Sequence, residues 1–131
     1  MTIIPAKALI VVADGRKATM YRNAAHQGPV SLHEEGHLTP KSLSSEGPSG
    51  SRPEDQTPNQ TDEATFAKQL ARKLFQMKEA GDYDDLVLAA DPQTLGQLRD
   101  TFHKTVTASL VRTINKDYTN HSIADIEAAL N

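Results

Sequence analysis

The chain has no cysteine among its 131 residues, which excludes a thiolate nucleophile, a cysteine-based zinc site and a disulfide framework. That fits a reducing compartment, and the cytoplasm is the expected location. Long apolar runs are also missing. The first run, inside MTIIPAKALIVVADGRK, is short and is closed by Asp14 before any small-residue cleavage pattern, so it reads as a strand rather than a signal peptide or a membrane span. Nor is there an excess of basic residues. With 14 Lys and Arg against 17 Asp and Glu, the formal charge is −3 and the pI is near 5.9. The global positive charge that drives non-specific nucleic-acid binding is therefore absent, and any contact with RNA needs a local basic patch. No Gly-rich phosphate loop, no nucleophile elbow with Ser-His-Asp order and no HExxH motif occurs. No cofactor and no resident metal is expected.

What is present is one domain's worth of chain, long enough to bury roughly two-thirds of the surface its unfolded form exposes. Two stretches carry no polar side chain. Leu86 to Ala90 lies between acidic residues and Asp91-Pro92, and Ala8 to Ala13 reads ALIVVA. Segments like these must be covered on both faces, which marks them as central strands of an α/β sheet. Asp14-Gly15 predicts a tight hairpin into a half-buried second strand, Lys17 to Arg22. His26-Gln27-Gly28-Pro29 turns the chain again. Val30 to Leu38, alternating and polar, is expected at an edge.

Thr39 to Thr61 is different in kind, with four of the seven prolines and almost no large apolar side chain. It is expected to be a long disordered loop, because it cannot bury enough surface to offset its ordering entropy. Beyond it, Phe66, Leu70 and Leu74 recur every four residues, flanked by Ala67, Ala71 and Phe75, and predict an amphipathic helix. Thr61 or Asp62 is its expected cap and Gly81 its stop. Asp91 with Pro92 opens a second helix, with Leu95, Leu98 and Phe102 inward and an end near His103 or Lys104. Residues 108 to 115 alternate as a last strand. Ser122 heads a short final helix with Ile123, Ile126 and Leu130 facing inward.

The order β-β-β, loop, α, β, α, β, α predicts an antiparallel meander followed by two strands that arrive through helices and lie parallel. Placing the two fully apolar strands side by side yields a five-stranded mixed sheet of order 3-2-1-4-5. This is a ribonuclease H-like three-layer α/β domain with about three helices, spanning residues 1–131.

That fold suggests one catalytic candidate, a two-metal nuclease or phosphodiesterase with carboxylates on the first strand and at the end of the fourth; Asp14 and Asp91 sit at about those points, although Asp14 lies after its strand rather than inside it. Each has a plain alternative, a turn for Asp14 and a helix cap for Asp91. Further carboxylates such as Glu63, Asp117 or Asp125 are placed by no motif. Arg16, Lys17, Arg99, His103, Lys104, Arg112 and Lys116 are the candidate phosphate-contacting residues. Interspersed acids make a solvated charged surface the competing reading, and no aromatic ladder for base stacking accompanies them. His33 and His37 cannot chelate one ion in a strand, where four residues span about 13 Å. Lys116-Asp117-Tyr118-Thr119 is expected to form a turn, and Met20 and Met77 to fill gaps in the core.

The strings VVADGRKATMYR, FAKQLARKLFQMKEAGDYDDLVLAADPQTLGQLRDTFHKTV and NKDYTNHSIADIEAAL resemble the bacterial host attachment protein family, described as required for attachment to host cells. The resemblance covers nearly the whole chain outside the Pro-rich segment. It implies a fold similar to the middle domain of archaeal and eukaryotic peptide-chain release factors, itself ribonuclease H-like. Those relatives act through a Gly-Gly-Gln tripeptide at the ribosomal peptidyl-transferase centre. This chain has none; Gly47-Pro48-Ser49-Gly50-Ser51 occupies its comparable segment. The implied role is a non-catalytic binding protein of the ribosome or structured RNA. A protein-interaction adaptor using the 39–61 loop is the third reading.

Overall fold

The computed structural model describes residues 4–26, 28–45 and 63–131. Five strands, β1 (Leu9–Ala13), β2 (Ala18–Asn23), β3 (Leu32–Leu38), β4 (Leu86–Ala90) and β5 (Leu110–Asn115), form one sheet of order β3-β2-β1-β4-β5. The meander β1-β2-β3 is antiparallel, and β4 and β5 are parallel to β1, as the pattern of connections predicts. The central pair runs from Leu9↔Leu86 to Ala13↔Ala90. Every residue of both strands is buried, because each face of that pair meets a separate apolar layer.

On one face Leu9, Val11, Ala13, Leu86, Leu88 and Ala90 pack against helices α1 (Pro40–Ser45), α2 (Glu63–Glu79), α3 (Pro92–Thr101) and α4 (Lys104–Ser109). Phe66, Leu70 and Leu74 of α2 supply the centre of that layer and are completely buried. On the other face Ile10, Val12, Val87 and Ala89 meet Ile126 and Leu130 of α5 (Ile123–Leu130), together with Ile4, Tyr21, Val30 and Leu32. No described helix is long and apolar enough to cross a membrane.

The helix ends follow their local chemistry. Asp91 caps α3, its carboxylate accepting from the Thr94 N–H with Pro92 in the first turn, and Ser122 caps α5 through the Asp125 N–H. Gly81, at φ +75°, ends α2, while the Gly81 and Asp82 N–H groups donate to the Lys78 and Met77 carbonyls. That is the paired bonding of a Schellman stop. Tyr83 follows, and its buried hydroxyl donates to the Leu74 carbonyl at 2.8 Å.

Three features differ from the sequence expectations. The expected 39–61 loop begins with α1, where Thr39 and Ser42 exchange side-chain to backbone bonds at 2.9 and 3.1 Å. Leu43, the large apolar residue of the stretch, is buried against the helical layer. Residues 46–62, including the expected caps Thr61 and Asp62, lie outside the described residues. Next, α4 stands between the second expected helix and the last strand. His103 caps it, accepting from the Thr105 N–H at 3.1 Å, and Val106 and Ser109 are buried. A histidine cap followed by threonines leaves no apolar period to read. Finally, Ile123, expected to face inward from the last helix, is exposed, and Ile126 and Leu130 carry its buried stripe. The Asp14-Gly15 hairpin forms as expected, its Asp14 N–H donating to the Lys17 carbonyl at 2.9 Å.

The outer strand β3 carries a bulge. Met20 pairs with Gly36 and Tyr21 with Glu34, so Glu35 has no partner across the ladder, and Gly36 sits at φ +156°. Arg22 is the tie at this end. It binds both Glu35 oxygens at 2.9 and 3.2 Å and the Asp82 and Lys7 carbonyls at 2.9 and 3.2 Å.

Two outcomes follow. Leu88→Ala should lower unfolding free energy by about 2–5 kcal/mol in urea titrations, as expected for a cavity in a fully packed layer; a loss well under 1 kcal/mol would mean that β4 is not central. Burial also pushes the Tyr83 phenol up to about 12 from an ordinary value near 10. Its ionised form is therefore disfavoured in the folded chain, and the contribution of the neutral hydroxyl is complete below pH 10 and lost as pH rises toward 12. Tyr83→Phe should flatten that alkaline loss in denaturant midpoints, and an identical pH profile would remove Tyr83 as its source.

Candidate functional site

In open α/β sheets the site of interest lies outside the carboxyl ends of the strands where chain direction diverges. Here that point falls between β1, from which the chain proceeds to β2 on one side, and β4, which leads to β5 on the other. Register fixes what gathers there. Ala13 pairs with Ala18 and Ala90, Ala18 with Leu38, and Ala90 with Asn115. The Asp14–Lys17 turn, the Asp91 cap, the Asn115–Ser122 connection and the start of α1 therefore share one edge of the sheet.

The carboxylates at that edge are engaged internally. Asp14 accepts from the Arg16 and Lys17 N–H groups at 2.7 and 2.8 Å through one oxygen, and from the Thr119 hydroxyl at 3.2 Å through the other. Asp117 accepts from the Thr119 N–H at 2.8 Å and lies within hydrogen-bond reach of the same hydroxyl. This is the expected 116–119 turn with an added link, since Thr119 joins it to the first hairpin. Thr119 has one proton for two carboxylates, so the two acids share it. Asp91 accepts from the Thr94 N–H at 3.1 Å. Among the described residues no group of three or more His, Asp or Glu side chains is arranged to hold a metal ion.

The cations at the same edge face outward. Arg16, Lys17 and Lys116 are all exposed. Lys17 Nζ reaches Asn120 Oδ1 at 3.5 Å, and Lys116 Nζ lies 5.1 Å above the Tyr118 ring. His121 packs edge-on to Tyr118, with ring centroids 4.9 Å apart. This aromatic pair is absent from the sequence expectations because the spacing Tyr118 to His121, read in a turn, has no periodicity to announce it.

The other basic candidates are elsewhere. Arg99, on α3, donates to Thr113 Oγ1 of β5 at 3.1 Å. His103 and Lys104 lie at the α3–α4 junction, beyond the far end of α3, where the His103 ring packs on Phe75. Arg112 turns to α5, where it donates to the Leu130 and Ala129 carbonyls at 2.9 and 3.2 Å. His33 and His37 do not converge. His37 bonds Thr19 at 3.0 Å and Glu34 at 3.2 Å, whereas His33 lines an open groove of about 440 Å³ with Met20, Glu35, Lys73, Met77 and Asp82. Met77 is a core residue and Met20 is partly buried against it.

The fold and its carboxyl-end edge define a small α/β domain with a polar, cation-fringed rim. The sequence profile of the bacterial archaeo-eukaryotic release factor family 12 matches residues 7–130, and the chain belongs to that family. No curated protein matches it in sequence.

The bonds to Asp14 and Asp91 give both residues a structural role. Asp91→Ala should cost about 1 kcal/mol, the usual loss for a helix cap. Asp14→Ala should cost about 1–3 kcal/mol for its charge-assisted bonds. Urea titration checks both, and unchanged midpoints would leave the two acids without a structural role.

Proposed function

We propose that the protein is a non-catalytic binding protein of the translation apparatus that contacts the ribosome or structured RNA through the carboxyl-end rim of its sheet. Membership of a release-factor family over nearly the whole chain is the observation that carries this reading. The rim supports it chemically. Asp14, Asp91 and Asp117 are committed to backbone and hydroxyl donors, while Arg16, Lys17 and Lys116 present their charges to solvent. A phosphate backbone approaching this edge therefore meets cations first, even though the chain as a whole is acidic. Hydrolysis of peptidyl-tRNA by the Gly-Gly-Gln mechanism is not part of the proposal, because the tripeptide is absent.

The sheet order is also compatible with the ribonuclease H-like reading, in which carboxylates on the first strand and at the end of the fourth hold metal ions. Here Asp14 and Asp91 stand at strand ends and Asp117 approaches Asp14 through the Thr119 hydroxyl, but no three such side chains among the described residues are arranged to hold a metal ion. A binding role is accordingly favoured over a nuclease.

Co-sedimentation with ribosomes decides the matter. Association at low salt that disappears at moderate salt is the expected result, and no association at either salt would defeat the proposal. RNA cleavage dependent on Mg²⁺ or Mn²⁺ and abolished by Asp14→Asn would replace it with the nuclease.

A further inference from the structure

We infer that Tyr118 and His121, with Lys17 and Lys116 beside them, form a stacking platform for single-stranded RNA. This inference rests on the proposed RNA-contacting role and assigns it to particular side chains.

The Asn115–Ser122 connection is more constrained than its composition implies. The Asp117–Thr119 bond closes its turn, the Thr119–Asp14 bond fastens that turn to the hairpin, and Ser122 fixes its exit by capping α5. Tyr118 therefore has a fixed base, and it packs partly against the apolar layer beneath α5. The Lys116 ammonium lies over one face of its ring, 5.1 Å from the centroid, and Lys116 is itself exposed, so that face adjoins solvent. The ammonium is flexible and strongly hydrated. It marks the place an incoming base would take, with Lys116 free to swing to the adjoining phosphate. His121 is exposed and meets the Tyr118 ring edge-on, so it offers a second ring beside that face rather than a continuation of it.

Phosphate contacts come from the neighbouring hairpin. The Lys17–Asn120 contact at 3.5 Å shows that its ammonium lies against the same connection, and Arg16 adjoins it. Among the acids, Asp14 and Asp117 are half-buried and internally bonded, and the exposed Asp125 is held at 3.4 Å from His121 Nδ1. Aromatic faces that accept any base, next to cations that follow the backbone, suit an unpaired strand. A duplex hides its base faces and has no use for the rings.

The test is fluorescence anisotropy of the full chain with a labelled short oligouridylate and with an RNA duplex of equal length. Wild type should bind the single strand more tightly than the duplex. Tyr118→Leu should weaken single-strand binding by about tenfold, the order of one lost base stack, while Tyr118→Phe retains it. The Lys17→Ala, Lys116→Ala double variant should flatten the slope of log K against log salt by about 1.4, or about 0.7 for each lost phosphate contact. Lys68→Ala, on the outer surface of α2, should change nothing. Circular dichroism melts identify any variant that fails to fold, and Tyr118→Phe with the two surface lysine changes then carries the test. Duplex binding as tight as single-strand binding, or full affinity in Tyr118→Leu, would overturn the platform. Ribosome association without oligonucleotide binding would overturn the platform and leave the broader role standing, whereas absence of both would remove both.

Discussion

The parallel pairing of β1 with β4 is the constraint on which the other features depend. Leu9–Ala13 and Leu86–Ala90 expose nothing, so their ladder is stable only when an apolar layer lies above it and another below. That requirement recruits α2 and α3 to one face and α5 to the other. It also sends the polar-alternating strands outward, to positions where one side can meet water. Since both central strands end together at Ala13 and Ala90, everything that follows them in the chain emerges along a common rim.

Much of this is legible in the amino-acid order because the responsible signals are local and strong. Two unbroken apolar runs, the four-residue recurrence of Phe66, Leu70 and Leu74, and the Asp91-Pro92 step each specify an element by its own chemistry. The sheet order then follows from connection lengths. Short, weakly apolar elements escape this kind of reading. In α1 the information resides in one buried leucine and a reciprocal Thr39–Ser42 cap, both inside a stretch whose overall composition argues for disorder. In α4 it resides in a histidine serving as cap.

The candidate surface is less legible, and for a different reason. Arg16, Lys17, Arg99, His103, Lys104, Arg112 and Lys116 look equivalent as letters, and only tertiary placement separates them. Arg112 satisfies carbonyls at the end of α5, and Arg99 reaches across to β5. Arg16, Lys17 and Lys116 meet at one rim because the register brings residues a hundred positions apart to the same edge. The acids at that rim are equally ambiguous in sequence. Asp14 is compatible with a metal ligand or a turn, and its three hydrogen bonds give it a place as a tether between hairpin and loop.

The bulge in β3 bears on how molecules of this protein meet one another. A straight outermost strand offers a regular row of unpaired amides onto which another chain can crystallise its own backbone, the first step toward fibrillar or swapped assemblies. Glu35 interrupts that row, and a bulge of this kind bends the strand and increases its local twist. The carboxylate of the interrupting residue is meanwhile drawn inward by Arg22. One inserted residue thus both anchors the sheet's margin and makes that margin a poor template for self-association.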